Sequence, residues 1–117
     1  MKIFIIGPVR KVTERQQREM DCYVAELESR GHTAHLPARD TKQDATGLEI
    51  CQQNLWAIED ADEVHIRYAP TSRGVHFDIG MAFALHKTIQ LMPGLVKIPV
   101  GKNFARMLQE WRDSQGH

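Results

Sequence analysis

The chain has 117 residues, enough for one core and a single domain spanning 1–117, but not for two. Hydrophobic residues make up 42% and charged residues 26%, an ordinary globular balance. Lys+Arg and Asp+Glu each number 15, so the formal net charge is zero, which argues against a nucleic-acid surface and leaves room for a small anionic ligand.

No apolar run approaches the roughly 20 residues of a membrane span, so no membrane partner is expected. The opening Met1–Gly7 is too short for a signal peptide and has no cleavage-type tail. It reads as a buried first strand of a cytoplasmic protein. Cys22 and Cys51 are far apart, without metal-ligand spacing, and read as buried free thiols at helical core positions.

Ile3 to Ile6 is the continuous apolar run of a central parallel strand, and it stops at Gly7-Pro8. Thr13 with Gln16 is a capping-box pattern, and Met20, Tyr23, Val24 and Leu27 then share one helical face. Gly31 reads as the helix C-cap. Thr33 to Leu36 is a short second strand ended by Pro37, and 38–44 is a polar loop. Thr46 with Glu49 repeats the capping-box pattern before Leu48, Cys51, Leu55 and Ile58 at helical spacing. Val64, Ile66 and Tyr68 alternate in a third strand, 62–68. A helix follows from about Val75 to Leu85, apolar or small nearly all round and so expected to be deeply buried. Thr88 to Met92 is a fourth strand, Val96 to Val100 a short fifth, and Phe104 to Trp111 an amphipathic last helix.

With right-handed crossovers this β-α-β-α-β-α-β-β-α order predicts a doubly wound α/β fold. It is a flavodoxin-like or Rossmann-like parallel sheet of order 2-1-3-4-5. Ligands of such sheets bind at the carboxyl ends of the strands, near the switch between strands one and three. Three segments are expected to converge there: Gly7 to Lys11 after strand one, the start of helix two (Gln53, Asn54), and the loop Ser72 to Asp78 before helix three. Gly7 and Pro8 make a tight turn that lets backbone approach a ligand, and Arg10 offers a fixed positive charge. The N–H groups that open the third helix can hold an anion; Ser72 can cap that helix or donate to a phosphate. Gly74 frees the chain to bend at its mouth. Asp78 is a carboxylate among Phe77, Ile79, Met81 and Ala82. The helix dipole alone would favour it there, and a poorly solvated carboxylate is also suited to stabilise or trap an oxocarbenium-like sugar carbon. His76 can touch a base or phosphate, or face solvent. His65 and Arg67, polar on a strand, need partners or a place near the strand end. A metal site from His65, His76 and Asp78 has no recognisable spacing.

Gly74-Val75-His76-Phe77-Asp78-Ile79-Gly80-Met81-Ala82 resembles the motif Gly-Val-Gly-Tyr-Glu-Leu-Gly-x-Ala of the nucleoside 2-deoxyribosyltransferases and the related 2'-deoxynucleoside 5'-monophosphate N-hydrolases. The stretch Asn54 to Val64 resembles the family's Asp-Leu-x-x-Ile-x-x-Ala-Asp-x-Val, and Ile3 to Arg10 its first strand and phosphate-side loop. The resemblance implies N-glycosidic cleavage or deoxyribosyl transfer on a small nucleoside or nucleotide, without metal or cofactor. It gives Asp78 the role of the family nucleophile, a Glu there. Asn54 stands where the family has an Asp near the reacting centre. Phe4 replaces a Tyr that positions the nucleophile, and His76 replaces a Gly. Ser72 matches the phosphate-contacting Ser of the hydrolase branch and, with Arg10, favours a 5'-monophosphate. The family also implies a homodimer or higher homo-oligomer with a shared site, for which 94–102, the last helix and Trp56 are candidates. Two functions stay open: an enzyme built on Asp78, and a catalytically silent nucleotide-binding or sensory module on the same scaffold.

Overall fold

A computed structural model describes residues 1–93 and 100–116. In chain order it contains β1 (Lys2–Ile6), α1 (Glu14–Ser29), β2 (Thr33–His35), α2 (Pro37–Asp40), α3 (Gly47–Asp60), β3 (Glu63–Ile66), α4 (Arg73–Ala84), β4 (Thr88–Leu91) and α5 (Phe104–Ser114). The strands form one parallel sheet of order β2-β1-β3-β4, with Ile5 opposite His65 and Ile66 opposite Leu91. This is the doubly wound order expected, as far as the fourth strand. The expected fifth strand falls, but for Val100, outside the described residues.

Alternation along β1 divides the core. Ile3 and Ile5 point to the α1 side, where they pack with Met20, Val24, Leu27, Ala34 and Leu36. Phe4 and Ile6 point to the other side and join Ile58, Val64, Ile66, Val75, Ile79, Ile89 and Leu108 under α3, α4 and α5. The Thr13–Gln16 capping box forms in full. At α3 the Thr46 hydroxyl accepts from the Glu49 N–H at 3.2 Å, one half of that arrangement. Arg30 closes α1, and Gly31 follows it with φ +90°, a backbone conformation that favours glycine. Beside β4 the Gln115 side chain accepts from the Ile89 N–H at 2.9 Å and donates to the Lys87 carbonyl at 2.8 Å.

Four expectations need correction. Residues 38–44 are not all loop, because Pro37 starts the short helix α2 with its φ already set for the first helical position. Cys22 is exposed and Cys51 partly so. Cys22 lies two residues from Met20 and Val24, about half a turn off the buried stripe. On α3 the buried positions are Asn54 and Ile58, while Leu48 stands in solvent. Finally, α4 is not buried all round. Val75, Asp78, Ile79 and Ala82 face inward, whereas Phe77 and Phe83 are each 55% exposed.

Candidate functional site

In a parallel α/β sheet the helices after β1 and β3 begin above the strands' carboxyl ends, and that edge is the ligand edge. Asp78 sits one and a half turns into α4, on its inward face, and is only 8% exposed. Burial pushes its carboxyl up to about 6, and hydrogen bonding from the Asn54 side chain opposes that shift. Asn54 is itself 6% exposed, on the buried stripe of α3, about two turns in and not at the expected helix start, because Thr46 caps the helix seven residues before Gln53. The two residues assigned to chemistry therefore meet between α3 and α4, in a dry setting.

Behind Asn54 stands a chain of groups that the sequence reading did not single out. The buried Thr41 hydroxyl donates to Asn54 Oδ1 at 2.8 Å, and Thr41 Oγ1 lies 2.8 Å from His35 Nε2. His35 stacks on Phe4, with ring centroids 5.2 Å apart and planes 13° from parallel. Burial, the largest influence on His35, holds it below the ordinary imidazole value. The signal available for both residues was position: His35 ends β2 and Thr41 closes α2, just beyond the carboxyl end of that strand.

The phosphate-side residues are less tied together. Arg10 is exposed, and Gly7 and Pro8 are half-buried. Gly7 has a packing reason as well as a ligand reason, since a Cβ there would come within 2.6 Å of the Met20 sulfur. Ser72 caps α4, its Oγ accepting from the Val75 N–H at 3.2 Å, and its own hydroxyl hydrogen can still be donated. Gly74 lies inside the first turn of α4 and not at a bend; a Cβ there would meet nothing nearer than 4.0 Å. The fold itself thus places no demand for glycine at 74.

His76 faces the protein. Its Nδ1 lies 2.7 Å from the Ser72 carbonyl and its Nε2 2.9 Å from the Tyr68 hydroxyl, while Phe104 packs edge-on at 4.8 Å. The carbonyl can only accept, so Nδ1–H donates to it and Nε2 accepts from Tyr68. His65 is on the α1 side of the sheet, opposite Asp78, with Tyr23 and Glu63 as partners. The three side chains considered for a metal are thus held apart. Among the described residues no group of three or more His, Cys, Asp or Glu is gathered to hold a metal ion, and no helix is long and apolar enough to cross a membrane.

Two cavities lie elsewhere: about 580 Å³ between α1 and α2, and about 320 Å³ beside Tyr23, His32 and His65. Neither is lined by Asp78, Asn54, Ser72 or Arg10.

Comparison with curated proteins by sequence gives no match. Solved structures with the same fold include CMP N-glycosidase BcmB of Clostridium botulinum, at 18% identity and TM-score 0.68, covering 97% of this chain and 81% of that one. They also include a 2-deoxyribosyltransferase of Bacillus psychrosaccharolyticus, at 18% identity and TM-score 0.70, covering 100% and 92%. A third is the 2-desoxiribosyltransferase of Leishmania mexicana, at 18% identity and TM-score 0.64, covering 89% and 79%. The family model for nucleoside 2-deoxyribosyltransferase matches residues 3–95. That match runs from β1 through the Asn54–Asp78 pair to beyond β4, and the chain belongs to the nucleoside 2-deoxyribosyltransferase family.

Proposed function

We propose that this chain cleaves the N-glycosidic bond of a (deoxy)nucleoside 5'-monophosphate, or transfers its deoxyribosyl group, with Asp78 as nucleophile. The observation that carries the reading is the pairing of a buried carboxyl, pushed up to about 6, with a hydrogen-bonding amide at the ligand edge of a family scaffold. An Asp78 oxygen attacks the anomeric carbon as the bond from that carbon to the base nitrogen breaks. The base leaves with the electron pair and takes a proton from water, because the Asn54 amide has none to give. Water or a second base then attacks the same carbon and frees Asp78. The opening α4 amides, Ser72 and Arg10 suit a 5'-phosphate, with Gly7, Pro8 and Gly74 allowing close approach. The relative named as a CMP N-glycosidase lends support to a monophosphate substrate.

Assembly belongs to the same proposal. In one chain Asp78 lines neither cavity, while α3 and α4 turn Trp56, Phe77 and Phe83 outward. A second copy seated on those rings would bury apolar surface and wall the site. The whole chain, 1–117, acts as one domain in this reading.

A silent nucleotide-binding module is the second reading, favoured by Phe4 and Asn54, which lack the hydroxyl and the acid that the family has there. One experiment separates the two. The protein is incubated with purine and pyrimidine nucleoside monophosphates over a range of protein concentrations, and free base is measured by chromatography. Base release that is lost in Asp78→Ala, with activity per chain rising with protein concentration, is the expected result. Nucleotide binding with no base release from any substrate would establish the module instead.

A further inference from the structure

We propose that Thr41 is a positioning residue of this site, turning the Asn54 amide so that its Nδ2–H faces Asp78. The proposal rests on the reading of Asp78 as the reacting carboxylate and assigns a residue outside the family motif quoted above. A carboxylate at position 54 would have two equivalent oxygens and no direction to choose. An amide has one accepting end and one donating end, so its orientation decides what the neighbouring carboxylate meets.

Two arrangements of the hydrogens keep the Thr41 hydroxyl hydrogen within the chain and fit the His35–Thr41 and Thr41–Asn54 distances. In the first, His35 Nε2–H donates to Thr41 Oγ1, Thr41 donates to Asn54 Oδ1, and Asn54 Nδ2–H donates toward Asp78. In the second, every bond is reversed. Asn54 donates to Thr41, Thr41 donates to His35 Nε2, and Asn54 Oδ1 faces the carboxylate. Two acceptors then oppose each other in a buried setting, which is tolerable only when Asp78 carries a proton. With Asp78 ionised the first arrangement is enforced, and it in turn favours the ionised carboxylate. The stacking of His35 on Phe4 holds the far end of the chain still. Thr41 is 4% exposed, so water has little access to replace its hydroxyl.

The test begins with the unaltered protein. Nitrogen NMR above pH 7 is expected to find the His35 proton on Nε2; a proton on Nδ1 overturns the proposal. Next come Thr41→Val, which keeps the shape and removes the hydroxyl, and Thr41→Ser, which restores it. The Asp78 carboxyl is titrated by carbon NMR. Its midpoint is expected to rise in Thr41→Val and to stay near the wild-type value in Thr41→Ser. With a cleaved nucleotide, Thr41→Val should lower kcat roughly tenfold while KM changes less than about twofold, and the acid limb of the pH profile should move with the midpoint. An unmoved midpoint in a folded Thr41→Val overturns the positioning role. A moved midpoint in a protein that releases no base supports the positioning role and overturns the proposed function alone.

Discussion

Among the described residues a polar chain runs on each side of the sheet. On the α1 side His65, 6% exposed, lies between the Tyr23 hydroxyl, 2.6 Å from Nδ1, and the Glu63 carboxylate, 3.0 Å from Nε2. On the α3–α4 side His35, Thr41, Asn54 and Asp78 follow one another. The first chain is closed: His65 Nε2–H donates to the Glu63 carboxylate, Nδ1 is engaged by the Tyr23 hydroxyl, and both ring nitrogens are used. The second chain ends on a carboxylate that burial holds well above its ordinary value. Both make the interior polar, so burial of polar groups does not by itself mark a site. What distinguishes the second is an end whose charged form burial disfavours, at the edge where ligands of such sheets bind.

The sharpest way to break that distinction is Asp78→Asn. Base release is expected to fall about a thousandfold or more, as for loss of a covalent nucleophile. Stability should move the other way. The folded carboxyl titrates near 6 and the unfolded one near 3.8. Between those values the folded state binds more protons than the unfolded state, so wild-type stability declines as pH rises through that window. Above it the penalty of burying the charge is complete, on the order of 1–3 kcal/mol. Urea unfolding should therefore find Asp78→Asn more stable than wild type at pH 8 and equal to it near pH 3. A variant destabilised at pH 8 would make Asp78 another closed structural partner.

His65→Leu probes the opposite side. Tyr23 and Glu63 would lose their shared partner in a half-buried place, and stability should fall by about 1–3 kcal/mol. Activity per folded chain should not change, since no bond connects this chain to Asn54 or Asp78. Denaturant midpoints and initial rates at saturating nucleotide check both halves. A large loss of rate without loss of stability would couple the two faces.

How much of this was legible in the sequence depends on the range of the interaction. Caps and stripes are local, and the Thr13–Gln16 box, the Met20–Val24–Leu27 face and the β1 run all appear as read. A four-residue helix has no periodicity to detect, which is why α2 was invisible. An apolar helix reads as buried whether its second face meets core or a partner, so the exposure of Phe77 and Phe83 could not be seen in α4 alone. At the site, Asn54 and Asp78 sit on recognisable motifs. His35 and Thr41 do not: a histidine ending a strand and a threonine in a polar stretch acquire meaning only when the fold brings Thr41 against Asn54, 13 residues on. Likewise His76 was open to a ligand on sequence grounds until Tyr68 and Ser72 took up both of its nitrogens.

The smallest effect expected belongs to Tyr23→Phe. Tyr23 reaches His65 from the partly accessible flank of α1, so the lost bond can be replaced in part by water, and the cost should be about 0.5–1.5 kcal/mol. Its phenol is raised above the ordinary value of 10.0, by burial first and then by Glu63 and Glu26. A phenol raised on folding keeps its proton longer in the native state than in the unfolded one. Wild-type stability should accordingly decline as pH climbs past about 10 toward the folded value, and that component should vanish in Tyr23→Phe. Thermal unfolding at pH 8 and pH 11 therefore has a signed outcome: the variant is the less stable protein at pH 8, and the gap narrows at pH 11. If the gap instead widened with pH, the phenolate would be stabilised by the fold. The α1-side chain would then hold a favoured charge, and the closed character that separates it from the Asp78 side would be lost.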